Sequence, residues 1–415
     1  MTPRAITACR CCGSEALVSI LSLGEQVLTG TFPRSPAEPV TSGPLELVKC
    51  HGDDPCGLVQ LRHTYDSREL YGRNYGFRSS LNQTMVRHLG ETASELLSRY
   101  PRHEGDLVLD IGSNDGTLLS FMPRESLRVG IDPTIAKYRE FYDPSINAIP
   151  DFFTAELFRE RFGDRRAAQV TTIAMFYDLD DPLAFVRDVA AVLAPEGVWH
   201  FEQSYVPAML SSDAYDTICH EQLEYYALRQ VQWLLGRCGL RVIDASLNDV
   251  NGGSFAVTAC HEGASHETNT PAIEALESIE RRQRLDTLAP YAAFAERVAS
   301  HRERLLALLA ELRASGASVL GYGASTKGNV ILQYCGLTAN EIPAMAEVNR
   351  DKFGAFTPGS NIPIISEEEA HARRPDYFLV MPWHFRENLV QREAEFLRRG
   401  GKMIFPLPSI SIVGS

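Results

Sequence analysis

Short apolar runs that close on glycine turns recur along this chain, the pattern of buried parallel strands each followed by a helix. Asp106-Leu-Val-Leu-Asp110-Ile-Gly112-Ser-Asn114-Asp-Gly116 reads as a strand closing on a turn, and Thr117 onward as a helix. Val129-Gly-Ile-Asp132 ends a second strand in an acidic residue. A third strand region precedes Asp151-Phe152-Phe153, and Val170-Thr-Thr-Ile-Ala-Met175 is a fourth with the start of its loop. The glycine-free run Phe185–Leu193 predicts a helix, and Gly197-Val-Trp-His-Phe201-Glu202 the next strand. Thr270-Pro271 opens a further helix, with threonine as cap and proline in the first turn. A second carries Phe294, Val298, Leu305, Leu309 and Leu312 on one face and ends near Gly316. Ser318-Val-Leu-Gly321-Tyr-Gly323-Ala-Ser-Thr-Lys327-Gly328-Asn329 then begins strand, turn and helix again.

With 415 residues, 44% hydrophobic and 22% charged, the chain has ample material for several packed units. A net charge of -13 argues against bulk nucleic-acid binding, which needs clustered positive charge. No run approaches the roughly 18 apolar residues of a membrane span. The first ten residues carry no signal-like apolar core. The expected setting is the cytoplasm, without nucleic acid or membrane as partner.

In a reducing compartment, paired cysteines suggest metal before disulfides. Cys9-Arg-Cys11-Cys12-Gly13 contains one short-spaced pair, and Cys50-His51-Gly-Asp-Asp-Pro-Cys56-Gly57 a looser one. Cys9, Cys12, Cys50 and Cys56 would give tetrahedral zinc four thiolates, with Cys11 and His51 as spare candidates. The zinc would be structural, since a lobe this short cannot easily hold itself by apolar packing.

Strand, glycine turn, helix, strand and acid is the logic of a nucleotide-binding βαβ unit. Asn114 stands where a dinucleotide fingerprint has glycine. The resulting D-x-G-x-N-x-G resembles the first motif of S-adenosyl-L-methionine (SAM)-dependent methyltransferases, in which no diphosphate has to be accommodated. Candidate cofactor residues are Asp110, Gly112, Asn114, Gly116, Asp132, Asp151, Phe152 and Met175. In the second turn, Lys327 is one of only five lysines and suits an anionic group. The spacing is not that of a P-loop, and a surface lysine on an ordinary turn explains it equally well.

The ordered set of motifs resembles the sugar-nucleotide 3-C-methyltransferases over almost the whole length. It runs through Leu23-Gly-Glu-Gln-Val-Leu-Thr-Gly, Tyr75-Gly-Phe-Arg-Ser-Ser-Leu-Asn, Asp110–Gly116, Trp199-His-Phe-Glu-Gln and His220-Glu221-Gln222-Leu-Glu-Tyr-Tyr. It continues through Asn251-Gly-Gly-Ser, Gly321–Gly328, Thr357-Pro-Gly-Ser-Asn-Ile-Pro-Ile and Pro382-Trp383-His-Phe. The resemblance implies an α/β fold in four parts. Residues 1–70 form a zinc-binding lobe, 71–265 a Rossmann-like SAM domain, 266–315 a helical spacer, and 316–415 a second Rossmann-like α/β domain. It implies a nucleotide-linked 4-keto-deoxyhexose as substrate, methylated at C-3 through an enolate in branched deoxysugar biosynthesis, by a monomer. Tyr322, Lys327, Asn329, Glu347 and Trp383 become candidate sugar-nucleotide contacts, and Tyr75, His220, Glu221 and Gln222 candidate catalytic positions.

One departure matters. The family motif ends in glutamate-histidine, with that histidine as base, whereas position 222 is glutamine, which cannot carry a proton at neutral pH. A tyrosine two residues before the glutamate corresponds to Cys219, and an aromatic hydroxyl near Phe77 is supplied, if at all, by Tyr75. Three readings follow: His220 or Glu221 serves as base, the chain performs another proton transfer or none (an epimerase, a tautomerase or a non-methylating homologue), or the glutamine is an introduced substitution. A methyltransferase with a modified base arrangement is the expectation carried forward.

Overall fold

In the computed structural model, residues 3–53, 55–71 and 77–414 are described; Tyr75 lies outside them. The N-terminal lobe is an antiparallel sheet of β1 (Leu17–Val27), β2 (Ser42–Cys50) and β3 (Val59–Leu61). Along β2, Leu45 and Leu47 turn inward and Glu46 outward, the period of a half-buried strand. A fourth strand of this sheet, Glu224–Tyr225, arrives from the middle of the chain and pairs antiparallel with β3, Glu224 opposite Gln60.

The central sheet holds β4 (Leu107–Ile111), β5 (Leu127–Ile131), β6 (Asn147–Ile149), β7 (Ala167–Ile173), β8 (Leu193–Ser204), β9 (Leu240–Asn248) and β10 (Ser254–His261). Their order is β9-β10-β8-β7-β4-β5-β6, with β10 antiparallel to both neighbours. β4 continues to β5 on one side, whereas its other neighbour, β7, continues to β8. A crevice therefore opens at the carboxyl ends of β4 and β7, where such sheets bind ligands. The sheet is continuous with an aromatic core in which Phe176 stacks on Tyr226 at 5.3 Å and meets Trp199 edge-on at 5.3 Å.

Two helices, α1 (Thr270–Gln283) and α2 (Ala289–Ala314), link the central unit to the last one. α2 buries the predicted Phe294, Val298, Leu305, Leu309 and Leu312, and also His301. The His301 imidazole takes the Tyr215 hydroxyl at 3.1 Å and reaches the Pro406 carbonyl at 2.7 Å. The C-terminal sheet comprises β11 (Val319–Tyr322), β12 (Met345–Glu347), β13 (Ile364–Ser366), β14 (Tyr377–Val380), β15 (Lys402–Phe405) and β16 (Ser411–Val413), in the order β13-β12-β11-β14-β15-β16. Its own crevice lies between β11 and β14, at the Gly323–Lys327 turn and the Met381–Phe385 segment.

α3 (Thr326–Cys335) docks the lobe onto this last unit. The Gln333 side chain accepts from Val27 N at 2.8 Å and donates to Val27 O at 3.0 Å, acting as a one-residue extension of the sheet. Asn329 donates to Thr29 O at 2.7 Å. Gln333→Ala leaves both Val27 groups unpaired and should lower stability by about 1–3 kcal/mol, read as a shifted denaturant midpoint of the full chain.

Candidate active site

The turn after β4 holds three residues in the left-handed region: Gly112 at φ 75°, Asn114 at 51° and Gly116 at 77°. At Gly112 a Cβ would collide with Met175, which comes over from the loop after β7, so glycine lets the two sides of the crevice meet. Asn114 tolerates its conformation as asparagine commonly does, and its carboxamide explains why it replaces a glycine. Its Oδ1 accepts from Ser79 N at 3.0 Å and its Nδ2 donates to Phe77 O at 3.3 Å. Asp115 adds a bond from Ser80 N at 3.0 Å. The segment 77–80 is thus fastened onto the turn.

Asp132, at the end of β5, accepts from Asn114 N at 2.8 Å and from Thr134 N at 2.6 Å. Asp110 accepts from the Thr171 hydroxyl at 2.6 Å, and burial raises its carboxyl to about 7. Burial likewise raises Asp132. Asp151 and Phe152 follow β6 on the surface, and the Phe152 ring is 41% exposed, an aromatic left in water.

Opposite this turn runs a strap, residues 215–226, that touches every unit. Leu223 N and Glu224 N both donate to Tyr177 O, at 2.8 and 3.0 Å, which ties the strap to the loop after β7. Leu61 N donates to Leu223 O at 2.8 Å, tying it to the lobe. Asp216 accepts from the Trp383 indole at 2.7 Å and lies beside the Lys327 ammonium, tying it to the last unit. Burial lowers Lys327, and Asp216 partly restores it.

The three consecutive strap residues part ways. His220 is wholly buried in the lobe, edge-on to Tyr65 at 4.6 Å, and burial pushes its imidazole down to about 3. The ring thus packs in the lobe core. Glu221 reaches the Thr29 hydroxyl at 3.4 Å, against Gly30 and near Thr326, and burial raises its carboxyl. The Gln222 amide folds back onto Glu224 O at 3.4 Å.

Among the expected sugar-nucleotide contacts, Lys327 and Trp383 meet at the strap. Tyr322 instead donates to Glu393 at 2.7 Å inside the C-terminal core. Asn329 is occupied by the lobe, and Glu347 by Val348 N and Asn349 N at 2.7 and 2.8 Å. These three serve the frame around the cleft. Asp178 and Asp216 escaped sequence reasoning, and Thr29 stood in a quoted motif without an assigned role.

In the lobe, the sulfur atoms of Cys9, Cys12, Cys50 and Cys56 lie within 4.8 Å of one another, with Cys9–Cys56 and Cys12–Cys50 both at 3.5 Å. A tetrahedron of Zn–S bonds near 2.3 Å has edges of about 3.8 Å, so the four thiols fit zinc. Among the described residues this grouping includes neither Cys11 nor His51.

Comparison with known proteins agrees with this layout. Family profiles match in chain order: a zinc binding domain over residues 9–71, a methyltransferase domain over 85–245, and a C-methyltransferase C-terminal domain over 249–408. C-methyltransferase NovU of Streptomyces niveus is 33% identical over 418 residues, spanning 99% of this chain and 98% of that protein. The chain belongs to the C-methyltransferase family.

Solved structures offer only partial likenesses. Magnesium protoporphyrin IX methyltransferase ChlM of Synechocystis PCC 6803 is 14% identical, covering 47% of this chain and 92% of its own at a TM-score of 0.33. The CcbJ methyltransferase of Streptomyces caelestis is 12% identical, covering 42% and 89% at 0.33.

As a SAM-dependent methyltransferase, the chain would hold its cofactor in the Asp110–Gly116 turn, and the residues present fit it. The turn has no side chain at Gly112 or Gly116, buried carboxyls stand at Asp110 and Asp132, and Phe152 offers an open aromatic face. Asn114→Ala cuts two bonds to segment 77–79 and should weaken SAM binding about tenfold, roughly the 1.4 kcal/mol of a net hydrogen bond or two, read by calorimetry. Purified protein should contain one zinc per chain by metal analysis, and Cys12→Ser should lose it together with cooperative unfolding of the lobe.

Proposed function

We propose that this methyltransferase moves a methyl group to C-3 of a nucleotide-linked 4-keto-deoxyhexose, through an enolate, in branched deoxysugar biosynthesis. The supporting observation is the strap: it runs from the loop bordering the cofactor crevice to the lysine and tryptophan of the second crevice, so two ligands held in the two α/β units would meet over it. SAM, when bound, supplies an electrophilic methyl group.

The protein's residues supply the rest. A carbon beside a ketone becomes nucleophilic only when its proton is removed, so a base must lie within hydrogen-bond reach of it. The enolate oxygen needs donors already in place. Lys327, with the amide groups that open α3, suits the diphosphate of the sugar nucleotide, because helix N-termini attract anions. Its charge is met by Asp216 within the protein and can be shared with an incoming anion. The four-cysteine cluster holds the lobe that presents Thr29 and Gly30 to Glu221, a structural role for zinc.

A second reading, epimerisation or tautomerisation of the keto-sugar without methyl transfer, is favoured by one observation: the Gln222 amide is folded onto its own strap and offers no base there. Both are tested with methyl-labelled SAM and dTDP- or GDP-linked 4-keto-6-deoxyglucose. The expected result is label on a sugar carbon. Label on oxygen or nitrogen, or no transfer, overturns the proposal, and solvent deuterium entering C-3 while SAM stays intact selects the second reading.

A further inference from the structure

The strap and the loop after β7 place two carboxyl groups together that no motif announces. Because Tyr177 O receives two strap amides, the next residue, Asp178, is fixed against the strap. Asp178 N donates to Met175 O at 3.0 Å, so its carboxyl stands one turn from the side chain that covers Gly112. The Tyr71 hydroxyl faces this carboxylate, and among the described residues its enclosed Oδ1 accepts no hydrogen bond. Glu221 stands close enough for its charge to act on Asp178. Glu221 is the more deeply set of the two, with Thr29 and Gly30 on one side and Cys219 on another.

A buried carboxylate oxygen without a donor is costly unless something comes to it. Here it sits between the cofactor turn and the strap, where the reacting carbon of the proposed substrate would lie. We propose that Asp178 takes the proton from the carbon to be methylated, with Glu221 as its companion carboxyl, in place of a histidine at position 222. This rests on the C-methylation reading above. In the step, the C–H bond next to the ketone breaks, the proton passes to Asp178 Oδ1, and the electron pair of that bond moves into the enolate. Asp178 then exchanges that proton with solvent, and without a methyl donor a solvent-derived proton returns to the carbon.

The electrostatics agree with that role. Burial raises both carboxyls, Asp178 strongly, and the Glu221 charge raises Asp178 further. A carboxylate whose pKa is raised is a stronger base for proton abstraction than an ordinary aspartate. The ionisable groups facing Asp178 are Tyr71, Cys219, Glu221, Glu224 and Tyr225. The working form is ionised and its pKa is raised, so exchange should be retained at high pH and lost as pH falls through the raised value.

The test uses the full chain with dTDP-4-keto-6-deoxyglucose, following deuterium wash-in from heavy water without SAM and methyl transfer with it. Asp178→Asn should reduce both by about 100-fold or more, the usual worth of a general base. It should leave the affinity for S-adenosylhomocysteine within threefold by calorimetry, which also reports a folded cofactor domain. Asp178→Glu should recover part of the loss. A smaller loss in Asp178→Asn overturns the proposal. If the unaltered chain neither exchanges nor methylates this sugar, the sugar reading fails, and Asp178 is then judged by infrared difference spectra at neutral pH. Loss of a protonated-carboxyl band in Asp178→Asn or Glu221→Gln supports the pair, and its persistence in both overturns it.

Discussion

The strap of residues 215–226 is the constraint on which the arrangement depends. Its backbone completes the lobe sheet at Glu224–Tyr225 and binds the central unit through Tyr177 O, while its Asp216 side chain engages Trp383 of the last unit. Tyr226 then stacks on Phe176, so the strap is anchored in the aromatic core as well. With each end held by different sheets, the residues between them have little freedom to rearrange. That rigidity holds Glu221 within reach of the Asp178 charge despite the desolvation cost of two buried carboxyls.

The cofactor side follows a similar economy of backbone. Gly112 removes a side chain so that Met175 can close the crevice, and Asn114 uses a carboxamide to hold the chain that crosses above it. The same turn therefore shapes a floor and fastens part of a roof. In the second α/β unit the equivalent turn works differently, since Ser325 caps α3 through Gly328 N at 3.0 Å and Lys327 lies beside Asp216. Two copies of one strand-turn-helix idea thus present chemically unlike surfaces to a shared cleft.

Much of this was legible in the sequence where local geometry leaves few choices. Glycines at positive φ, short-spaced cysteines and the apolar face of α2 each announce themselves within a dozen residues. The cleft was harder to read because its members come from distant segments: Asp178 and Asp216 have no local pattern to betray them. His220 and its neighbours were hard to read for a simpler reason. His220 and Glu221 lie in a turn closed by Gln222 N onto Cys219 O at 3.1 Å, so a run of polar residues does not say which one meets the cleft. Here His220 packs on Tyr65 and Glu221 on Thr29 and Gly30, both against the lobe. Tyr322 and Asn329 likewise lie at the right turn but are committed to Glu393 and Thr29.

The borrowed strand has a consequence for how such a chain can be built and recombined. The edge of β3 is covered only once residues 224 and 225 have been made, so during synthesis the first lobe waits on the ribosome with an open border. The amino-terminal portion is not an independent cassette. A chimera between relatives would have to carry the lobe and the strap from the same parent, even though most of the central domain lies between them in the gene.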